Sequence, residues 1–280
     1  MSRSEGQISC LMVTKDRFDL MRRSIDLFCR QVWDNKELII LSDGPSSVQE
    51  AIRKHVDGLG RTDIRCQFLS SPTNLGRLRN ISVKLATGEF LCQWDDDDLN
   101  HPLRLKEQVE SMMAASAQVS FMYDQLHYMA DTGELFWTDW SHQRGELADN
   151  GVPGTLLCRR DVGIHYPESG PDATRGEDGT LQIDLHRRCR VSGLRDKGYL
   201  YTYVYHGRNT WERSHHELIV REFGFAAPYL AAHASKVGRH LPEYFPRAPA
   251  HLTAKDGTPV PIPADTPPDG AEVADAAGRP

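Results

Sequence analysis

The stretch Phe90-Leu91-Cys92-Gln93-Trp94-Asp95-Asp96-Asp97-Asp98 decides how the rest of the chain is read. A short apolar run with the length and bulk of a buried strand ends in four consecutive carboxylates. Adjacent acids repel one another, so they cost stability unless something positive neutralises them. Alternate side chains of a strand share a face, which points Asp95 and Asp97 the same way. Two carboxylates projecting together from a strand end suit a hard divalent cation, Mn2+ or Mg2+. An acidic run in a polar linker reads as a solvated loop. This one closes a buried strand, and that context favours the metal reading.

The segments before the acids alternate strand and helix. Residues 8–13 read as a buried strand, followed by a helix over 17–32 with Met21, Ile25, Phe28 and Val32 at helical spacing. Residues 37–41 form a second strand, stopped by Ser42-Asp43-Gly44-Pro45. Ser46 or Ser47 caps a helix whose apolar face carries Val48, Ile52 and Val56. Ile64, Cys66 and Phe68 alternate as a third strand, and Leu78, Ile81 and Leu85 lie on a helix ending near Gly88. After the acids, Pro102 suits the first turn of another helix, with Leu105, Val109 and Met112 inward. This rhythm predicts an α/β fold with a largely parallel sheet covered on both faces. Ligands of such sheets bind beyond the carboxyl ends of the strands. Residues 14–16, Asp43 and residues 95–98 all lie at such ends, so three distant segments are expected to converge on one cleft.

After Val119 the rhythm changes. Short strands are expected at 119–123, 126–129, 135–137 and 155–158, a helix over 178–190, an aromatic strand at 199–205 and a helix over 215–232. From residue 246 onward Pro, Ala, Asp and Gly dominate, and that composition predicts a disordered tail over 246–280 behind a domain of residues 1–245.

The 280 residues suffice for one large domain or two small ones, and 39% of them are hydrophobic, enough for a core. The net charge of −6 gives no basic field for nucleic acid. No apolar run is long enough for a transmembrane segment, and residues 1–7 lack the apolar stretch of a secretory signal. The six cysteines are scattered with no Cys-x-x-Cys pair, and four of them fall in strand-like runs where a reduced buried thiol is ordinary. A soluble, cytoplasmic protein is expected, either free or peripheral at the inner membrane.

Four segments in this order resemble the family 2 glycosyltransferases, enzymes of the GT-A fold. They are Ile8-Ser9-Cys10-Leu11-Met12-Val13-Thr14 running on to Gln31, Glu37-Leu38-Ile39-Ile40-Leu41-Ser42-Asp43-Gly44, Asn74-Leu75-Gly76-Arg77-Leu78-Arg79-Asn80 with Ala86-Thr87-Gly88-Glu89-Phe90, and the acidic run with Pro102, Arg104 and Leu105 behind it. The resemblance spans about residues 8–210. It implies a nucleotide-binding half over about 8–120, continuous with an acceptor-binding half over about 121–212. It further implies transfer of a sugar from a nucleotide-sugar donor, a UDP-sugar, to a glycan, lipid-linked or small-molecule acceptor, with inversion.

The resemblance also implies roles for single residues. The family's aspartate-x-aspartate motif falls on Asp95 and Asp97, with Asp96 or Asp98 able to share the role. Its metal-completing histidine falls on His206, although a lone histidine at a strand end is more often simply packed. The acid that holds uracil is Asp43, with an Asp-Gly turn, which is common, as the alternative. Arg77 and Arg79 stand where the family places a basic contact to the nucleotide, and both also read as solvated helix charges. Thr14, Arg17 and Asp96 complete the expected contacts to the nucleotide sugar. The family's aromatic residue after the first strand is missing, replaced by Thr14-Lys15-Asp16-Arg17. The family's catalytic base falls on Asp178, with Glu177 beside it, a pair that also suits a helix N-terminus. Gly151-Val152-Pro153-Gly154-Thr155 resembles the loop bordering the acceptor pocket, and Trp137 and Trp140 are either sugar platforms or core.

Two other classes stand beside this reading. A non-catalytic nucleotide-sugar-binding protein would keep the fold but not the acids, and both Asp178 and the Asp95/Asp97 pair are present. A nucleotidyltransferase tends to carry a Gly-rich basic loop after its first strand, and residues 13–17 contain no glycine.

Overall fold

Buried strands that alternate with amphipathic helices build one side of the molecule. The computed structural model describes residues 6–141, 150–245 and 247–263. β1 (Ile8–Thr14), β2 (Lys36–Ser42), β3 (Ile64–Phe68) and β4 (Phe90–Gln93) are joined by α1 (Phe18–Cys29), α2 (Ser46–Leu59) and α3 (Leu75–Leu85). β1 pairs in parallel with β2 and β4, and β2 with β3. Every residue of β1, β2 and β4 is buried, as strands covered on both faces require. The sheet extends through β9 (Leu157–Arg159), antiparallel to β4, then β6 (Val119–Met122) and β10 (Val191–Leu194), giving the order β10-β6-β9-β4-β1-β2-β3. α4 (Arg104–Ala114) buries Leu105, Val109 and Met112 as its spacing predicts.

A second sheet stands against the first, in the order β5-β11-β7-β8. Its strands are β5 (Leu99–Asn100), β7 (Asp124–Met129), β8 (Glu134–Asp139) and β11 (Tyr201–Tyr205). The remaining helices are α5 (Glu177–Arg188), α6 (Arg213–Phe223) and α7 (Ala227–His240). No helix among the described residues is long and apolar enough to cross a membrane.

Four expectations need correction. β4 stops at Gln93, so residues 95–98 lie outside any strand and strand alternation does not orient Asp95 and Asp97. They form the link by which the chain leaves the first sheet at β4 and enters the second at β5. α1 stops at Cys29, and Val32, placed inward by periodicity, is 49% exposed while its N–H bonds the Pro102 carbonyl. The helix expected over 215–232 is two helices. Pro228 lies in the first turn of α7, where its missing N–H costs nothing, whereas inside a continuous helix it would remove a hydrogen bond. The Phe225 N–H between the helices bonds the Trp137 carbonyl instead.

The fourth correction concerns the tail. Residues 251–261 form an antiparallel hairpin of β12 (His251–Thr253) and β13 (Pro259–Pro261), packed against β8 and α7. Leu252, Ala254 and Val260 are buried in the main core. Composition missed this because three apolar residues are enough when the surface they cover already exists. Residues 264–280 lie outside the described residues. Leu252→Ala is therefore expected to cost about 2–5 kcal/mol in a urea titration, the range for a buried leucine. A loss below 0.5 kcal/mol, about the size of a surface change, would show that the hairpin does not dock.

Candidate active site

The link between the sheets sits at the floor of a cavity of about 720 Å3 beyond the carboxyl ends of β1 and β2. α1 fixes its backbone: the Ser24 hydroxyl donates to the Asp95 carbonyl at 2.9 Å, and Arg23 Nη2 to the Asp97 carbonyl at 3.2 Å. Each carboxylate then finds its own partner. Asp95 accepts from Arg79 Nη2 and from Gln93 Nε2, both at 3.0 Å. Asp96 accepts from the Thr14 hydroxyl and pairs with Arg17 Nη2 at 2.7 Å. Asp97 pairs with Arg17 Nη1 and with His206 Nε2, the latter at 3.0 Å. Asp98 accepts from the Tyr201 hydroxyl and, at 3.0 Å, from the Val204 N–H.

These partners divide the run into two kinds of acid. Burial, then the neighbouring Asp97 charge, pushes the Asp96 carboxyl up to about 7. Burial, then the charges of Asp97 and Asp95, raises Asp98 well above the usual range. Burial also acts on Asp97, but the His206 hydrogen bond and the Arg17 charge outweigh it and hold that carboxyl below the usual range. Asp96 and Asp98 therefore serve as internal staples to β1 and β11. Asp97 stays ionised, 7% exposed at the cavity wall.

The other expected residues are placed unequally. Thr14, Arg17, Asp43 and Arg79 line the cavity with Asp95, Asp96 and Asp97. Asp43 Oδ2 accepts the Thr73 N–H at 2.8 Å, while its Oδ1 is buried with no hydrogen-bond partner. Arg77 is exposed and does not line the cavity; it contributes its N–H to the Asn74 cap of α3. Trp137 is fully buried with its Nε1 on Asp124, so it belongs to the core, whereas Trp140 reaches the cavity. The Pro153–Thr155 turn closes the near wall. A Cβ on Gly154 would lie 3.0 Å from the Tyr201 hydroxyl and 3.3 Å from Asp95 Oδ2, so glycine suits this close approach.

Glu177 and Asp178 open α5 at the opposite wall. Glu177 is 2% exposed, and its Oε1 accepts Arg79 Nε at 2.7 Å. Asp178 reaches the cavity, with Oδ1 on the Gly179 N–H at 2.8 Å. Burial against the wall, then the Glu177 charge, pushes its carboxyl up to about 6. Arg79 thus spans the cleft, one nitrogen on Asp95 and another on Glu177. Sequence reasoning gave no notice of Gln125, Tyr203 and Trp211, which also line the cavity.

Among the described residues no group of three or more His, Cys, Asp or Glu side chains is placed to hold a metal ion. The donor set that exists is Asp97 with His206. One carboxylate and one imidazole fit Mn2+ or Mg2+ when phosphate oxygens complete the shell. His206 Nδ1 faces the Arg208 N–H at 3.2 Å, across a turn that Gly207 makes at φ +79°. Ligation through Nε2 requires the imidazole proton on Nδ1, so it requires that contact to relax.

A family model, glycosyl transferase family 2, matches residues 9–156, more than half of the chain. The chain belongs to glycosyl transferase family 2. A glycosyl transferase that its name assigns to colanic acid biosynthesis, WcaA of Escherichia coli (strain K12), is 36% identical over 100 residues, covering 35% of each chain. The uncharacterized glycosyltransferase MJ1057 of Methanocaldococcus jannaschii is 25% identical over 133 residues, 46% of this chain and 44% of that one. The chain thus spans less than half the length of these relatives. S. aureus TarS residues 1–349, in complex with UDP-GlcNAc, superposes with a TM-score of 0.57 at 16% identity, covering 82% of this chain and 73% of that one. The mannosyltransferase PcManGT of Pyrobaculum calidifontis, with GDP-Man and Mn2+, gives 0.52 at 11% identity, covering 86% and 64%. The fold shared with these neighbours is GT-A.

Arg79 bridges Asp95 and Glu177, so removing its charge leaves both carboxylates without that partner. Arg79→Leu is expected to cost about 3–5 kcal/mol in a urea titration. Arg79→Lys, which keeps the charge, should lose less. An equal loss for the two variants would assign the effect to packing of the guanidinium on the Tyr166 ring, 5.6 Å away.

Proposed function

We propose that this chain is a glycosyltransferase that moves a sugar from a UDP-sugar to an acceptor hydroxyl with inversion, its nucleotide-binding half over about 8–120 and its acceptor half over about 121–212. The observation that carries the reading is the asymmetry of the α5 carboxylates. Both line the cavity, but Glu177 is committed to Arg79, whereas Asp178 bonds only the neighbouring Gly179 N–H and has its carboxyl near 6. A carboxyl there is ionised at neutral pH and still basic enough to take a proton. Each acid of the run at 95–98 is held by protein partners, which supports a single displacement over a covalent intermediate on one of them.

The single displacement follows. Asp178 accepts the acceptor hydroxyl proton as that oxygen bonds the anomeric carbon. The bond from that carbon to the diphosphate oxygen breaks, and its electrons leave with the diphosphate. Asp43 Oδ1, buried and unpartnered, suits the imide N–H of uracil. Lys15 at the mouth suits phosphate. Asp97 and His206, with Asp95 near by, would hold a divalent cation, which would supply neutralisation of the diphosphate charge. The acceptor class stays at a glycan, lipid-linked or small-molecule hydroxyl, and a cytoplasmic location, free or peripheral at the inner membrane, agrees with a nucleotide-sugar donor.

Asp178→Asn keeps the shape but loses the base. Turnover should fall roughly 100- to 10,000-fold while UDP and Mn2+ binding by calorimetry stay close to wild type. Retained transfer would place the base elsewhere. A second test is the acid limb of kcat/KM. Because the base acts only when deprotonated, activity should be present above about pH 6 and lost below it. Glu177→Gln removes a like charge and releases Arg79 toward Asp178, so the limb should move to lower pH. A limb that stays in place or moves up contradicts the assignment. Asp97→Ala, unlike Asp178→Asn, should abolish the gain in UDP affinity that Mn2+ brings.

A further inference from the structure

Gln125 lies in β7 and is fully buried, yet both ends of its carboxamide lack a partner. Among the described residues, no other buried side chain that lines the cavity leaves both a donor and an acceptor unused. A buried amide left so costs stability, because neither its N–H groups nor its oxygen recovers the hydrogen bonds it had in water. Gln125 is nonetheless one of the residues that line the cavity.

Its place in the sheet says which part of a ligand it meets. β7 and β11 run in parallel with Leu126 opposite Thr202 and His127 opposite Tyr203. Gln125 therefore stands beside Tyr201, the residue whose hydroxyl holds Asp98. The carboxamide is thus one strand away from the acid run, on the wall that also carries Tyr203. With a diphosphate at Asp97 and a base at Asp178, the reacting sugar would occupy the cavity that Gln125 and Tyr203 line together with both. A carboxamide offers one donor and one acceptor side by side, matching two neighbouring hydroxyls of a sugar ring.

We propose that Gln125 is the residue that reads the hydroxyls of the donor's sugar ring, an assignment that rests on the nucleotide-sugar reading above. The unused pair is kept at a cost to the free protein because a sugar satisfies it, and a site built to bond hydroxyls discriminates strongly against ligands that lack them.

Gln125→Met keeps the volume and removes both polar ends. Calorimetry with Mn2+ compares wild type and variant for UDP, GDP, UDP-glucose, UDP-GlcNAc and GDP-mannose, alongside the melting temperature without ligand. The expected result is a variant that melts at or above wild type and holds UDP or GDP unchanged. It should bind the preferred nucleotide sugar roughly 5- to 150-fold more weakly. Unchanged affinity for every nucleotide sugar overturns the assignment while leaving the nucleotide reading intact. So does a loss confined to acceptor saturation in a transfer assay, or a lower melting temperature with no change in sugar affinity, which would make the amide structural. If wild type binds neither UDP nor GDP, the nucleotide reading itself fails and this assignment with it.

Discussion

Four adjacent carboxylates, three of them buried and Asp95 partly so, lie where two sheets meet, and much of the site exists to make that possible. Two arginines form ion pairs with them, Arg17 from the end of β1 and Arg79 from α3, and a third, Arg23, holds the Asp97 carbonyl. Two unit charges cannot balance four in a poorly solvated place, so the run resolves by protonation as well as by pairing. Asp96 and Asp98 hold their protons to higher pH and bond Thr14 and Tyr201, while Asp97 stays ionised. Asp96 and Asp98 are thus set apart from Asp97 by proton affinity and not by strand geometry. Asp97 faces the cavity next to an imidazole.

That arrangement couples the two walls of the cleft. Arg79 cannot serve Asp95 without also holding Glu177, and holding Glu177 leaves Asp178 as the free carboxylate of α5. The Asp178 carboxyl is raised by burial and then by the Glu177 charge, and Arg79 works against that rise. Stability and reactivity in this site draw on one guanidinium. A change to Arg79 would be felt in both, whereas a change to Gln125 separates them.

Residues 8–114 were legible because their signals are local: apolar runs of strand length, helical spacing and a proline at a helix start. That Asp43 and the acids at 95–98 would meet at one cleft was legible because they sit at ends of those elements, whereas Asp178 was named only through the family resemblance. Arg77 and Arg79 looked equivalent, yet positions two apart on a helix do not share a face. Only one of them could turn to the cleft, and α3 turns Arg79 inward and Arg77 to solvent. The hairpin at residues 251–261 was hidden because its stability comes from a distant surface on β8 and α7. Gln125 was hidden because nothing in Asp124-Gln125-Leu126 distinguishes a ligand-facing amide from an ordinary strand residue. Its meaning comes from Tyr201, seventy-six residues away in the chain, through the pairing of β7 with β11.

The central claim is that this acid-lined link is a metal-assisted diphosphate site organised by Asp97 and His206. Diffraction from crystals grown with UDP and Mn2+, recorded at the manganese absorption edge, tests it most directly. The account predicts an anomalous peak within ligand distance of Asp97 and His206, beside the diphosphate, with the His206 turn moved to release Nδ1 from Arg208. UDP bound in the cleft with no such peak, or a peak held by other residues, would contradict it.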